Sequence, residues 1–306
     1  MHISVSIVGF RNKFDIVRCL DALSRSTYRD FEVVICENGG QNAYLELVAA
    51  IPGALVGGQA VRVVKAPGNL GFAGGVNACL AQTPDADGWW LLNPDTEPDE
   101  GVLSAMVDRL NKGDCEAVGC SIFLPNGKMQ SYGCSWRGWS ARGVMIGYGV
   151  SVGEAVDASF VERSQSFLSG ASMLIGRQFL EAVGPMREEY FLYCEEVEWC
   201  LRAVSRGMRL GFSAGGRVLH HHGTTTGAGL SVRDRPRIAV YLGERNRLLL
   251  TRDCFGMRFP IVALVALGLL TLRCARYSAW RHFGYGLAGW WAGIRGERGP
   301  PNWLPA

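Results

Sequence analysis

Gly88–Asp95 reads GWWLLNPD, a short β-forming run that stops at an Asn-Pro-Asp turn. Short runs rich in β-branched and aromatic residues, bounded by turn formers, predict strands. The same arrangement recurs upstream. Val5–Gly9 predicts a strand leading to Phe10-Arg11-Asn12, Phe31–Cys36 one leading to Glu37-Asn38, and Val61–Lys65 one leading to Asn69-Leu70-Gly71. Helical patterns separate them at Asp15–Ser26, with Ile16, Leu20 and Leu23 on one face, around Tyr44–Ala50, and at Gly74–Gln82. Downstream, Glu100–Leu110 predicts a helix and Glu116–Ile122 a fifth strand. Strand–helix alternation at this spacing predicts an α/β fold, a Rossmann-like, mostly parallel sheet with helices on both faces. Ligands of such sheets bind beyond the carboxyl ends of the strands. Four polar strand ends on that edge predict one nucleotide-sized polar crevice.

Beyond the fifth strand the texture changes. Residues 124–166 are rich in Gly, Ser and Trp with weak periodicity, and are expected to form an irregular, strand-poor loop near the substrate. Its Gln130, Tyr132 and Trp136 are candidate acceptor contacts, because a long aromatic loop is a common place for binding residues. Helical pattern returns at Gln178–Val183, Val197–Arg206 and Arg237–Thr251, and strand pattern at Arg209–Phe212 and Arg217–Leu219.

Four stretches carry chemistry. Gly71-Phe72-Ala73-Gly74-Gly75 lacks the G-x-G-x-x-G spacing and a following Walker lysine, so it reads as a tight strand-to-helix turn. Asp95 can hold a divalent ion against a diphosphate, since hard oxygen ligands with open coordination suit Mg²⁺ or Mn²⁺; an Asx turn is the simpler use. Glu195-Glu196-Val197-Glu198 crowds three carboxylates between apolar flanks, which raises a carboxyl pKa and suits a general base; dipole complementation at a helix start is the simpler use. In His220-His221-His222, strand geometry puts His220 and His222 on one face, where an imidazole can join Asp95.

The chain has 306 residues, 48% hydrophobic and 19% charged, which excludes wholesale disorder. Its net charge of +3 argues against nucleic acid as a partner. That figure hides an asymmetry. Residues 1–230 hold 19 Lys/Arg against 24 Asp/Glu, whereas residues 231–306 hold 12 arginines against 4 acids. Ten scattered cysteines without a CxxC pair are expected to be free thiols of a reducing cytosol. The N-terminus shows no signal-peptide pattern. Phe259–Leu272 is a charge-free, apolar run of 14 residues, short of the ~20 that a spanning helix needs. Arg273, Arg276, Trp280, Arg281, Trp290 and Trp291 follow it. Arginine and aromatics at an apolar boundary suit an interfacial element on an anionic leaflet. A buried helix or an oligomer contact is the other use.

Taken in order, VSIVGFRN (5–12), FEVVICENGG (31–40), NLGFAGGVN (69–77), WLLNPD (90–95), GASMLI (170–175), VGPMREEYFLYCEEVEWCLR (183–202) and VLHHHG (218–223) resemble the family 2 inverting glycosyltransferases of the GT-A fold. Within that family they resemble the bacterial rhamnosyltransferase-like group, as does Arg245-Asn246-Arg247 ahead of an apolar tail. The resemblance implies a GT-A catalytic domain over residues 1–230, with a nucleotide-binding half (1–122) and an acceptor half (123–230). A helical, membrane-associating extension over 231–306 completes the chain. It implies that Asn12, Glu37, Asn69, Gly71 and Asn93 line the nucleotide-sugar pocket. Asp95 and His220 are implied as ligands of Mg²⁺ or Mn²⁺, and Glu196 as the catalytic base. Asn93 replaces the first acid of the family's D-x-D, and Glu37 and Glu196 each replace an aspartate, so Glu195 and Glu198 stay open as bases. The implied donor is dTDP-L-rhamnose, with UDP-sugars as competitors. The implied acceptor is a glycan or lipid-linked glycan of surface polysaccharide synthesis, met at the cytoplasmic face of the inner membrane. An inactive sugar-nucleotide-binding module and a nucleotidyltransferase are the competing classes.

Overall fold

The computed structural model describes residues 1–221 and 231–304. Its first half alternates as the sequence predicts: β1 (Ile3–Gly9), α1 (Lys13–Ser24), β2 (Phe31–Glu37), α2 (Gln41–Ala50), β3 (Val61–Lys65), α3 (Gly71–Leu80) and β4 (Gly88–Leu92). β5 (Thr96–Pro98), α4 (Val102–Leu110) and β6 (Ala117–Phe123) follow. Strands β3-β2-β1-β4 lie side by side and parallel. β4 explains why its run is apolar without alternation. Trp90 and Leu92 enter the core beneath α1 and α4, while Trp89 and Leu91 enter the core on the opposite face with α3. Both indoles are satisfied, Trp89 Nε1 by Thr83 Oγ1 at 3.1 Å and Trp90 Nε1 by Ser172 Oγ at 2.9 Å.

The second half departs from the expected loop. Residues 124–166 contain β7 (Met129–Ser131), the antiparallel hairpin β8 (Gly133–Arg137) and β9 (Arg142–Ile146), and α5 (Ala158–Ser164). Three- and five-residue strands interrupted by glycine carry too few periods for a pattern to register. β10 (Ser172–Gly176) also escapes the sequence reading. It inserts antiparallel between β4 and β6, pairing Leu174 with Trp90 and with Val118. The sheet is therefore mixed at its centre. α6 (Arg177–Val183) and α7 (Glu195–Ser205) pack on one face, and β11 (Leu210–His220) runs parallel to β6 with an irregularity between Ser213 and Arg217. The two short strands expected there form one bent strand.

The chain closes with α8 (Arg237–Phe255), α9 (Phe259–Arg276) and α10 (Trp280–Arg295). α8 belongs to the body: Leu249 and Leu250 join the core of α3 and α7. α10 packs along α8 and α9, and Trp290 Nε1 donates to Ala263 O at 2.8 Å. Ala263, Ala266, Leu270 and Cys274 form the buried stripe of α9. Ile261, Leu264 and Leu272 stand out at 55%, 70% and 68% exposure. Among the described residues, only the continuous helical segment Arg237–Arg276 is long and apolar enough to cross a membrane by length and composition.

Candidate active site

An open cavity of about 730 Å³ lies beyond the carboxyl ends of β1 and β2, bounded by Arg11, Lys13, Phe14, Glu37, Gln41 and Glu46. Glu37 is buried and ties the two loops together, its Oε1 accepting the N–H of Arg11 at 3.1 Å and of Gly39 at 2.7 Å. Asn12 stands just before α1, where its Oδ1 accepts the N–H of Phe10 at 3.0 Å. After β3, Asn69 Oδ1 accepts the N–H of Gly71 at 3.0 Å, and buried Asn38 donates to Gly71 O at 2.9 Å. Gly71 has φ +70°, and a Cβ there would lie 2.1 Å from Phe191 O. That oxygen already accepts the N–H of Phe72 at 2.7 Å. The start of α3 is thus pressed against the turn that precedes α7.

After β4, Asn93 N donates to Ala171 O at 3.0 Å, and Thr96 Oγ1 donates to Asn93 O at 2.6 Å. This turn delivers Asp95 to His220 at the end of β11. Asp95 Oδ1 lies 3.2 Å from His220 Nε2, and both side chains are buried. The other ring nitrogen, Nδ1, lies 2.7 Å from Gln130 Oε1 on β7. With Nδ1 facing Gln130, Nε2 is the ring nitrogen next to the carboxylate. A ring nitrogen and a carboxylate oxygen this close can ligate one cation together, and imidazole with carboxylate suits Mn²⁺ or Mg²⁺. The residues fit a divalent ion. Among the described residues no third His, Cys, Asp or Glu joins them, which leaves coordination open for ligand oxygens. His221 points the other way, to Glu97 at 2.7 Å, as strand alternation predicts; His222 lies outside the described residues.

The three glutamates at the start of α7 have different surroundings. Glu198 is buried and held by Arg202 Nε at 2.9 Å and Arg187 Nε at 3.4 Å. Glu195 is buried with its Oε2 unpartnered, and burial together with the neighbouring Glu196 pushes its pKa well up. Glu196 alone keeps solvent access, while its partial burial raises its carboxyl too. A Cβ at Gly170 would sit 3.7 Å from Glu196 Cγ, and the next residue, Ala171, bonds Asn93. The Gly170–Ala171 step therefore separates Glu196 from the Asn93–Asp95 turn. Phe191, Tyr193 and Cys194, just before α7, have left-handed φ of 67°, 74° and 72°. Such backbone costs about 1–3 kcal/mol per residue and gathers at functional sites.

Two of the expected acceptor contacts serve other purposes. Gln130 orients His220, and Tyr132 packs edge-on against Phe212 in a small core, ring centroids 6.1 Å apart. Trp136 is half-buried against the second core. The sequence marked Asn38 as part of a polar strand end but gave no sign of Gln41 and Phe14, which line the cavity.

A mixed α/β sheet with helices on both faces is the architecture of the GT-A fold. The chain belongs to glycosyl transferase family 2, whose pattern matches residues 4–177. Among curated relatives, it is 27% identical over 232 residues to N-acetylglucosaminyl-diphospho-decaprenol L-rhamnosyltransferase of Mycobacterium tuberculosis, covering 69% of this chain and 73% of that protein. It is 20% identical to the low-salt glycan biosynthesis hexosyltransferase Agl10 of Haloferax volcanii, covering 88% of this chain and 81% of the relative. Among solved structures, GalNAc-T7 with UDP, GalNAc and Mn²⁺ matches with a TM-score of 0.63 at 15% identity, over 82% of this chain and 48% of that one. The mannosyltransferase PcManGT of Pyrobaculum calidifontis, with GDP-Man and Mn²⁺, matches with a TM-score of 0.56 at 15% identity, over 96% and 87%. At these identities the structures speak for the fold alone.

Proposed function

We propose that the protein is a metal-dependent inverting transferase that moves L-rhamnose from dTDP-L-rhamnose to a hydroxyl of a lipid-linked glycan, at the cytoplasmic face of the inner membrane. The observation that carries this reading is the buried Asp95–His220 pair, on the same carboxyl edge of the sheet as Glu196 and as the open cavity after β1 and β2. The mycobacterial rhamnosyltransferase supports the donor and, by its diphospho-decaprenol-linked sugar, the acceptor class. Charge supports the acceptor as well. Arg273 Nη2 and Arg247 Nη1 lie 2.6 Å and 3.2 Å from the two oxygens of Glu244. Arg142 is close enough that these guanidiniums, after its own desolvation, lower its pKa. Three cations around one carboxylate leave a positive excess suited to a diphosphate.

Asn12, Glu37, Asn69, Gly71 and Asn93 shape the donor pocket. Asp95 and His220 would hold Mg²⁺ or Mn²⁺, whose charge offsets that developing on the departing nucleoside diphosphate. Glu196 takes the proton of the acceptor hydroxyl as that oxygen bonds to the anomeric carbon. The bond from carbon to the diphosphate oxygen breaks on the opposite face, and configuration inverts. The partial exposure of Glu196, the burial of Glu195 and the two arginines on Glu198 favour Glu196 as the base.

The test is a nucleotide-sugar panel with purified protein and a diphosphate-lipid-linked acceptor, with and without Mn²⁺. Metal-dependent release of dTDP from dTDP-L-rhamnose is expected. Release of UDP from a UDP-hexose instead would replace the donor. Stabilisation by nucleotide without transfer from any donor would favour a binding module.

A further inference from the structure

Behind the turn that carries Glu196, α8 presents two adjacent polar residues that the chemistry above does not use. Asn246 is fully buried, and its Nδ2 lies 2.8 Å from the carbonyl oxygens of Tyr190, of Leu192 and of Tyr193 alike. An amide nitrogen has two hydrogens to donate, so three acceptors at that distance share them. Arg245 is also buried. It donates from Nε to Asn246 Oδ1 at 2.8 Å, from Nη1 to Gly299 O at 2.6 Å and from Nη2 to Tyr190 O at 3.2 Å. Its hydrogen bonds go to one amide and two carbonyls, not to a carboxylate, and burial pulls its pKa down.

Burying a guanidinium with no hydrogen-bonded carboxylate, only the charge of nearby Glu297, is costly. The planar fork has one use that a neutral side chain serves less well, which is to fix several backbone oxygens at once. The segment so fixed is the left-handed one, Phe191 to Cys194. Its other side is held by the Phe72 N–H on Phe191 O and by the close approach of Gly71. One helix from the donor half and one from the C-terminal region thus grip a strained turn two residues before Glu196.

We infer that Arg245 and Asn246 are positioning residues of the transfer reaction: they hold this turn and thereby set the direction from which Glu196 meets the acceptor hydroxyl. The inference rests on Glu196 being the base. Displacing a catalytic group by about 1 Å costs on the order of 10²-fold in rate.

The experiment compares full-length N246A with wild type, each also in an E196Q background. N246A should lower kcat by about 10²-fold with nucleotide affinity within about twofold, and should cost little more once Glu196 is already gone. N246S, which keeps one donor, should recover part of the rate. An equal loss in both backgrounds, or a folded N246A with wild-type kcat, overturns the inference. If N246A does not fold, N246S and R245K carry the same cycle. Hydrogen exchange supplies a readout that needs no substrate: amides of the 190–196 segment should lose protection in N246A while those of β1 and β4 keep theirs. Unchanged protection there overturns the inference, whereas inactive wild-type protein with every donor overturns only the reading of the reaction.

Discussion

Glu195 and Glu196 are neighbours in sequence with opposed prospects. Both carboxyls are raised by burial, but Glu195 has an unpartnered oxygen in the interior, whereas Glu196 is only partly buried. A base with a raised pKa loses its function as pH falls through that value, so the acid limb of kcat/KM should lie above the ordinary glutamate range. E196Q should lower transfer by about 10²–10⁴-fold and leave nucleotide binding intact. Glu195 makes the complementary prediction about stability. Its folded pKa is raised from an ordinary 4.5, so protonation favours the folded state below that value, and this advantage is lost as pH rises toward the folded pKa. E195Q should therefore melt higher than wild type at about pH 8, with the gain shrinking toward about pH 4. A parallel loss of stability at both pH values would count against a desolvated Glu195. At this scale the placement of Asp95, His220 and Glu196 on one edge was legible, because each stands at or beside the end of an element and in a motif. The partners of Gln130 and Asn246 were not, since they lie 90 and more than 50 residues away in sequence.

Elements were legible where they repeat a long period. β1 to β4 and their helices appear within a few residues of expectation, because each strand is bounded by turn formers and each helix shows a face. β10 was hidden because its partners β4 and β6 lie far along the chain, and the β8–β9 hairpin because its short, glycine-interrupted strands show too little periodicity. The start of α3 shows what the motif glycine does. Gly71 is not a phosphate-loop signature; it is the position where two backbones meet with φ +70°. G71A adds a methyl group 2.1 Å from Phe191 O, which the left-handed backbone gives no room to relieve. We expect a loss of at least about 1 kcal/mol in denaturant melts, since the strain of Ala at positive φ outweighs what it gains by restricting the unfolded chain. Nucleotide affinity should fall with it, because Asn69 and Asn38 both bond this residue. Unchanged affinity in calorimetry would detach the α3 turn from the donor pocket.

Across the whole molecule, charge is segregated along the chain. The net −5 of residues 1–230 and the net +8 of residues 231–306 come from one chain, and exposed apolar side chains, though present in both parts, are denser in the basic one. On α9, Leu264 and Leu272 are exposed opposite the stripe that packs against α8 and α10, and Trp280 and Trp291 of α10 are exposed at 60% and 50%. Arg276, Arg281 and Arg295 stand beside them. Because α8 is built into the core and α9 and α10 pack on it, this surface is joined to the catalytic body through α8. Binding to a membrane through such a surface combines two contributions with different signatures. The arginine part is screened over about 10 Å at about 0.1 M salt, and the leucine and tryptophan part is not. Full-length protein should therefore float with vesicles of phosphatidylglycerol and phosphatidylethanolamine, and less so as salt rises. Replacing Leu264 and Leu272 together by glutamine should remove the salt-resistant fraction, with nucleotide binding unchanged. Flotation that is indifferent to both leucines would assign the exposed face to a protein contact instead of a lipid surface.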